Sequence, residues 1–465
     1  MKIGDGRRRG FSTLAILFVI IAVILVAVVA EGILSVGASP DIKIQPGLSA
    51  IGKRTPIKIE VAEPRRGLTH VRVEFVQGNR IEPVTEKTYP PSSWVPFSKP
   101  ASAQDTITVE VGRDTIANLK NGDALIRVLA DRIGTWLRHP EPATREFMIP
   151  VRLTPPSLHL VSTQTYLAQG GCEAVVYRVG ESSVRDGVRA GSWWFPGFPL
   201  PGGGKQDRFA LFAAPYDVNQ TDAIRLVAVD GAGNEAALPF IDKFFPKNFR
   251  SDSVELSDAF MGKVVPEIMA QSPELTDRGS LLNNYLEING ELRRQQNEIL
   301  KSLALKSRGE FLWSKPFLQV RNGKVMANFA DHRTYMNQGK AVDHQDHLGI
   351  DLAITQHAPV LAANSGVVVL AKFFGIYGNA VIIDHGYGLM SLYGHMSSLK
   401  VSEGQKVQQG DQLGETGETG LAGGDHLHYG VLLAGLPVNP VEWWDGHWIK
   451  DRVAGKLGQA MHFEP

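Results

Sequence analysis

The sequence predicts a mainly β protein with an N-terminal transmembrane helix, an immunoglobulin-like β region, a helical linker and a C-terminal antiparallel β domain. Three observations lead there. Residues 11–30, FSTLAILFVIIAVILVAVVA, form one uncharged apolar run. Beyond them, apolar and polar residues alternate in short stretches broken by turns, as half-buried strands do. Between two such regions, residues 253–307 switch to helical spacing.

The N-terminal elements follow from length and charge. An apolar run of about 20 residues is enough to cross the hydrocarbon layer as a helix. Residues 1–10 carry Lys2, Arg7, Arg8 and Arg9 and form a basic cytoplasmic N-terminus. The expectation is a single-pass protein of the inner (cytoplasmic) membrane, with the rest of the chain in the periplasm or extracytoplasmic space. A cleaved signal peptide is the alternative, although its apolar region is usually only about 7–15 residues. Small residues at Val36-Gly37-Ala38 keep cleavage open, and either reading exports the rest of the chain.

The remaining elements come in order. Residues 41–153 alternate as in IKIEVAEPRRGLTHVRVEFVQGNR and suggest a β-sandwich. Residues 154–250 form a second β segment, closing in AIRLVAVDGAGNEA, where Asp230-Gly231 turns the chain. The two segments could equally make one larger β unit. Residues 253–307 are the helical linker, with Ser and Thr as caps. Residues 311–450 return to Gly-punctuated strands.

Composition narrows the chemistry. At 465 residues the chain exceeds one core, and about two to four domains are expected. Hydrophobic residues at 43% and charged residues at 21% exclude a disordered chain. Lys+Arg and Asp+Glu are both 48, so there is no basic footprint and no nucleic-acid partner is expected. The single cysteine, Cys172, excludes an internal disulfide and a zinc ribbon, and reads as a small buried apolar residue. Any metal is therefore held by nitrogen and oxygen, for which 13 histidines are available.

Three features of the C-terminal region belong together. In His347-Leu348-Gly349-Ile350-Asp351, an extended strand points His347, Gly349 and Asp351 to one face, and the glycine leaves room beside them. His426-Leu427-His428 repeats the alternation, and His395 ends the apolar strand of LYGHMSSL. A catalytic zinc site takes three protein ligands and keeps a fourth position open. Five groups are thus offered for three ligand and two acid/base positions. An H-x-H pair or an H-x-x-x-D pair alone arises by chance in polar strands; the conjunction in one glycine-rich β region is the stronger signal.

Residues 325–444 resemble the lysostaphin-type, or LytM-domain, zinc metallopeptidases that cut peptidoglycan peptides. The matching text includes HLGIDLA, APVLAANSGVVV, GIYGNAVIIDHGYGLMSLYGHMSSL, VSEGQKVQQGDQLGETGETGLAGGDHLHYGV and PVNPVEW. The resemblance implies that Zn2+ is held by His347, Asp351 and His428, and that His395 and His426 act beside the metal. It implies a zinc metalloendopeptidase hydrolysing peptide cross-links of peptidoglycan, with zinc-activated water as nucleophile. Since some relatives have lost ligands and act as activators, a catalytically silent or autoinhibited scaffold regulating another cell-wall hydrolase is the alternative. Protein partners would then use the β domains or the helical linker.

Other residues carry less. Relatives use a tyrosine upstream of the first ligand, and Tyr335 is the candidate here, with a surface-loop position the plainer expectation. His332, His344, His357 and His385 are expected to be bystanders, and His344 and Asp346 draw notice only by preceding His347. VSEGQKVQQGDQLGETG is similar to the hairpin of biotinyl and lipoyl carriers but lacks a suitably flanked lysine.

Overall fold

The computed structural model describes residues 13–34, 39–65, 67–90, 101–135, 139–320 and 323–465. The basic segment expected at residues 1–10 lies outside them. The apolar run forms a helix, Thr13–Leu34, as its unbroken Leu, Ile, Val and Ala content dictates. Among the described residues, however, no helix is long and apolar enough to cross a membrane.

The chain divides into two compact units, Met1–Pro155 with Asp230–Asn234, and Pro156–Val229 with Glu235–Pro465. The first holds two antiparallel sheets. One has strands Asp41–Pro46, Thr55–Ala62 and Gln104–Val111; the other has Arg80–Thr88, Leu68–Gln77, Gly122–Arg132 and Ala143–Val151, in that spatial order. Alternation turns one side of each strand inward: Ile57, Ile59, Val61, Val71, Val73, Phe75, Ile126 and Val128 share one core from both sheets.

In the second unit, residues 156–245 form two four-stranded sheets. Cys172–Val179 and Asp207–Ala213 are buried nearly throughout, and Cys172 is a buried free thiol, as its apolar surroundings anticipate. The largest sheet of the unit runs Lys324–Ala327, Ile350–Ala353, Leu427–Leu433, Leu389–Met396, Asn379–Gly386, Gly366–Phe373 and Lys406–Val407, with Leu436–Val438 beside Leu427–Leu433. Every named pairing in it is antiparallel. Three central strands, Asn379–Gly386, Leu389–Met396 and Leu427–Leu433, are buried on both faces.

Burial on both faces requires a covering layer, and the helices supply one. Asp258–Gln271 is capped by Ser257, which accepts from the Phe260 amide at 3.2 Å. Leu281–Glu287 is capped by Ser280 and runs through a wider turn, Ile288–Leu292, into Arg293–Ala304. Their apolar face, with Val264, Ile268, Tyr285, Ile288, Leu292 and Leu300, joins one core with Ile382, Met390, Leu392 and Leu432 of the sheet and Ile376 of the turn beside it. The expected linker is thus packed against the domain it precedes.

Ile288 is fully buried in this layer. Ile288→Ala should lower the unfolding free energy of the second unit by about 2–5 kcal/mol, measured by denaturant titration of the chain. A loss below about 0.5 kcal/mol would show that the helices do not share the core.

Candidate metal centre

The site forms where a hairpin meets the edge of the large sheet. Strands Asp331–Asn337 and Lys340–His347 pair antiparallel, and His347 is the last residue of the second. The chain then breaks at Leu348-Gly349 and re-enters the large sheet as Ile350–Ala353. The single strand expected through HLGID is therefore two strands of different sheets. The reason lies at Gly349, where a Cβ would sit 2.5 Å from His428 Nε2; only glycine lets the backbone pass so close. Asp351 pairs directly opposite His428 in the antiparallel register, and His428 opposite Gly394.

This placement brings His347, Asp351 and His428 together, with ligand atoms all within 4.8 Å of one another. His347 Nε2 lies 2.9 Å from Asp351 Oδ1 and 3.2 Å from His428 Nδ1, and His428 Nδ1 lies 3.0 Å from Oδ1. The tautomer of His347 follows from its other nitrogen. Nδ1 is 2.9 Å from the Asn328 carbonyl, which can only accept, so Nδ1 carries a proton and, in the neutral ring, Nε2 presents a lone pair. Lone pairs facing a carboxylate across 2.9 Å repel unless a proton or a cation lies between them. Ligands at about 2.0–2.1 Å in a tetrahedral site stand about 3.3 Å apart, so the donor set fits zinc.

Two further imidazoles flank the cluster. His395 and His426 have ring centroids 4.8 Å apart, and His395 is 5.8 Å from His428. His426 Nε2 is 3.6 Å from Asp351 Oδ1. Each gives its Nδ1 hydrogen to a backbone carbonyl, His395 to Thr419 at 2.8 Å and His426 to Gly424 at 2.8 Å. His395 has φ +63°, a left-handed backbone rare in side-chain-bearing residues. It sits by a register shift between Asn379 and Val381 on the partner strand, an irregularity that turns its ring toward the cluster.

Electrostatics follow burial. Burial works to raise Asp351, but His347, His426 and His428 outweigh it and hold the carboxyl well below its usual range. Burial pushes His395 well down, aided by His426 and His428. His428 falls to about 4 through burial, against the pull of Asp351. His426 goes the other way: burial works to lower it, and its contact with Asp351 raises it overall.

The other expected residues separate cleanly. His332 is exposed and lies 2.5 Å from Asp346 through Nδ1; His344 is exposed beside Thr334. His357 is exposed against Asp425 and Ser397. His385 is fully buried between the Ser365 carbonyl and the Ser391 hydroxyl. Tyr335 is not on a surface loop: it is 6% exposed within strand Asp331–Asn337, its ring 5.9 Å from Tyr285. The residues 408–411 turn of the carrier-like hairpin contains no lysine.

Several contacts were not foreseen. Arg333 donates to Asp351 Oδ2 at 3.0 Å, Asn328 receives His347, Thr419 receives His395, and the Tyr377 ring lies 5.5 Å from His428. The period-two spacing of Asp331, Arg333 and Tyr335 was available as a signal for one strand face; the carbonyl contacts have no sequence signature.

A hairpin and an antiparallel sheet that together bring two imidazoles and a carboxylate within chelating distance, with two further imidazoles alongside, carry the donor set of a metal-dependent hydrolase. Comparison with known proteins makes the family specific: residues 345–440 match Peptidase family M23, and this stretch of the chain is an M23 domain. The resemblance carried by the motifs is thereby upheld. Peptidoglycan DD-endopeptidase ShyA of Vibrio cholerae is 29% identical over 190 residues, 41% of this chain and 41% of that protein. DD-carboxypeptidase/endopeptidase Mpg of Neisseria meningitidis is 45% identical over 95 residues, 20% of this chain and 22% of that protein. The chain therefore spans less than half the length of these curated relatives. A peptidase M23 crystal structure from Pseudomonas aeruginosa covers 60% of this chain and 94% of its own, at 19% identity and a TM-score of 0.35.

His385 yields a pH prediction. Burial lowers it from 6.5 to about 4, so the folded chain keeps it neutral while the unfolded chain protonates it near 6.5. Its contribution to stability is complete above pH 6.5, is lost as pH falls, and stops changing below about pH 4. Its ring signals in an NMR titration should show no protonation at about pH 5; a midpoint near 6.5 would contradict the assigned environment.

Proposed function

We propose that the protein is a membrane-anchored zinc metalloendopeptidase that hydrolyses peptide cross-links of peptidoglycan. The carrying observation is the convergence of His347 Nε2, Asp351 Oδ1 and His428 Nδ1, whose mutual distances of 2.9–3.2 Å suit a shared cation. The names of the Vibrio and Neisseria relatives support the substrate class.

His347, Asp351 and His428 would hold zinc, which would supply Lewis acidity there. His426, tied at Nδ1 by Gly424, offers Nε2 to take a proton from the attacking water. His395, tied at Nδ1 by Thr419, directs Nε2 at the same space and can return a proton or steady the developing oxyanion. Burial keeps both rings at fixed orientation, so proton transfer needs no side-chain search. The N-terminal helix would anchor the enzyme in the cytoplasmic membrane with the catalytic domain outside, an assignment that rests on the charge and length of residues 1–30.

Purified peptidoglycan incubated with the zinc-loaded chain should release muropeptides detectable by mass spectrometry, and a chelator should abolish the release. Unchanged sacculi in the presence of zinc would end the enzyme reading. His428→Ala should lose zinc, whereas His426→Ala should retain it and lose about 100-fold or more in turnover. Deleting residues 1–34 should move the protein from the membrane to the soluble fraction; a chain that stays on the membrane is anchored elsewhere.

A further inference from the structure

The two oxygens of Asp351 have different partners. Oδ1 lies in the cluster with His347 and His428, while Oδ2 accepts from Arg333 Nη2 at 3.0 Å. Arg333 is itself mostly covered, its side chain 23% exposed against 11% for Asp351. Its position is fixed from behind. Tyr335, on the same strand face, is buried and packs on Tyr285 of the helical layer with ring centroids 5.9 Å apart. Asp331, the third residue of that face, accepts from the Asn328 amide at 2.8 Å, and the Asn328 carbonyl receives His347 Nδ1. One face of strand Asp331–Asn337 thus reaches two of the three candidate ligands, directly or through one residue.

From this arrangement we infer that Arg333 is a positioning residue that holds Asp351 to one-oxygen coordination and so keeps the fourth metal position open. The inference rests on the proposed metal site. A carboxylate free to rotate can turn both oxygens on a divalent cation, occupying the space that water and the substrate carbonyl need. A guanidinium on Oδ2 opposes that rotation twice, through a directional charge-assisted hydrogen bond and through the energy of leaving a buried cation unpaired. The charge balance points the same way. With Arg333 on Asp351, the ligand set of two neutral imidazoles and one carboxylate carries no net charge, which leaves the cation more electrophilic. Arg333 touches neither the metal nor the substrate in this scheme. It acts through Asp351.

The test replaces zinc by cobalt(II), whose visible absorption reports coordination number, in the full chain and in Arg333→Ala and Arg333→Lys. Wild type should show the intense bands of a four-coordinate site. Arg333→Ala should show the weaker bands of higher coordination, a loss of about 10–100-fold in metal affinity by chelator competition, and a fall in kcat larger than any change in KM. Arg333→Lys, which keeps charge and one donor, should lie between the two. Should Arg333→Ala fail to fold, the lysine variant still separates the outcomes. A metal-binding wild type whose Arg333 variants match it in spectrum and affinity overturns this inference alone. A wild type that takes up neither cobalt nor zinc removes the proposed function and this inference with it.

Discussion

A buried carboxylate organises the functional half of this protein. Asp351 is 8% exposed, and an ionised carboxylate withdrawn from water costs several kcal/mol unless cations and donors surround it. The fold surrounds it. Antiparallel register sets His428 opposite it across the strand pair, the break at Gly349 swings His347 over it from the neighbouring sheet, and Arg333 closes the remaining oxygen. Remove the bare glycine and the backbone can no longer approach His428; remove the hairpin and both His347 and Arg333 lose their base. The local shape of the domain near the cluster follows from satisfying this one group.

That arrangement leaves a surplus of lone pairs. In the neutral ring, His347 Nε2 has no hydrogen to donate toward Oδ1 and His428 Nδ1, so the gap must hold a proton or a cation. The neighbouring His395 and His426 are likewise oriented by carbonyls that hold the Nδ1 hydrogens, and His426 Nε2 lies 3.6 Å from Asp351 Oδ1. Backbone carbonyls therefore orient three imidazoles beside the Asp351 carboxylate, an arrangement suited to a Lewis acid and to proton transfer.

How much of this was legible in the sequence depends on range. The HxGxD and HxH patterns are local, so period-two spacing brought the clustered residues into view, and composition had already pointed to nitrogen and oxygen donors. The family likeness, not spacing, separated His428 from His426. What escaped was long-range. Arg333 reaches Asp351 across 18 residues and two sheets, and Thr419 reaches His395 across 24. Tyr335 looked like a loop residue because FADHRTY lacks clean alternation; its burial comes from the helix carrying Tyr285, which no local pattern announces. The strand expected straight through HLGID failed for a similar reason: the break at Gly349 is imposed by His428, a residue far along the chain.

The helices illustrate the same point at larger scale. Their caps and periodicity were plain, and an arm between domains was the natural expectation. Their buried face nevertheless completes the core under Leu389–Met396, and Gln296 receives the Ile376 amide at 3.3 Å beside the turn bearing Tyr377. Tyr377 in turn packs on His428, and Tyr285 packs on Tyr335 of the strand that carries Arg333, so the helical layer meets the site from two directions. Rigid interiors transmit small displacements rather than absorb them. A shift of this layer would therefore reach the carboxylate and one of the imidazoles of the candidate metal centre together, which makes the layer part of the same domain in the mechanical sense, whatever its place in the linear order of the chain.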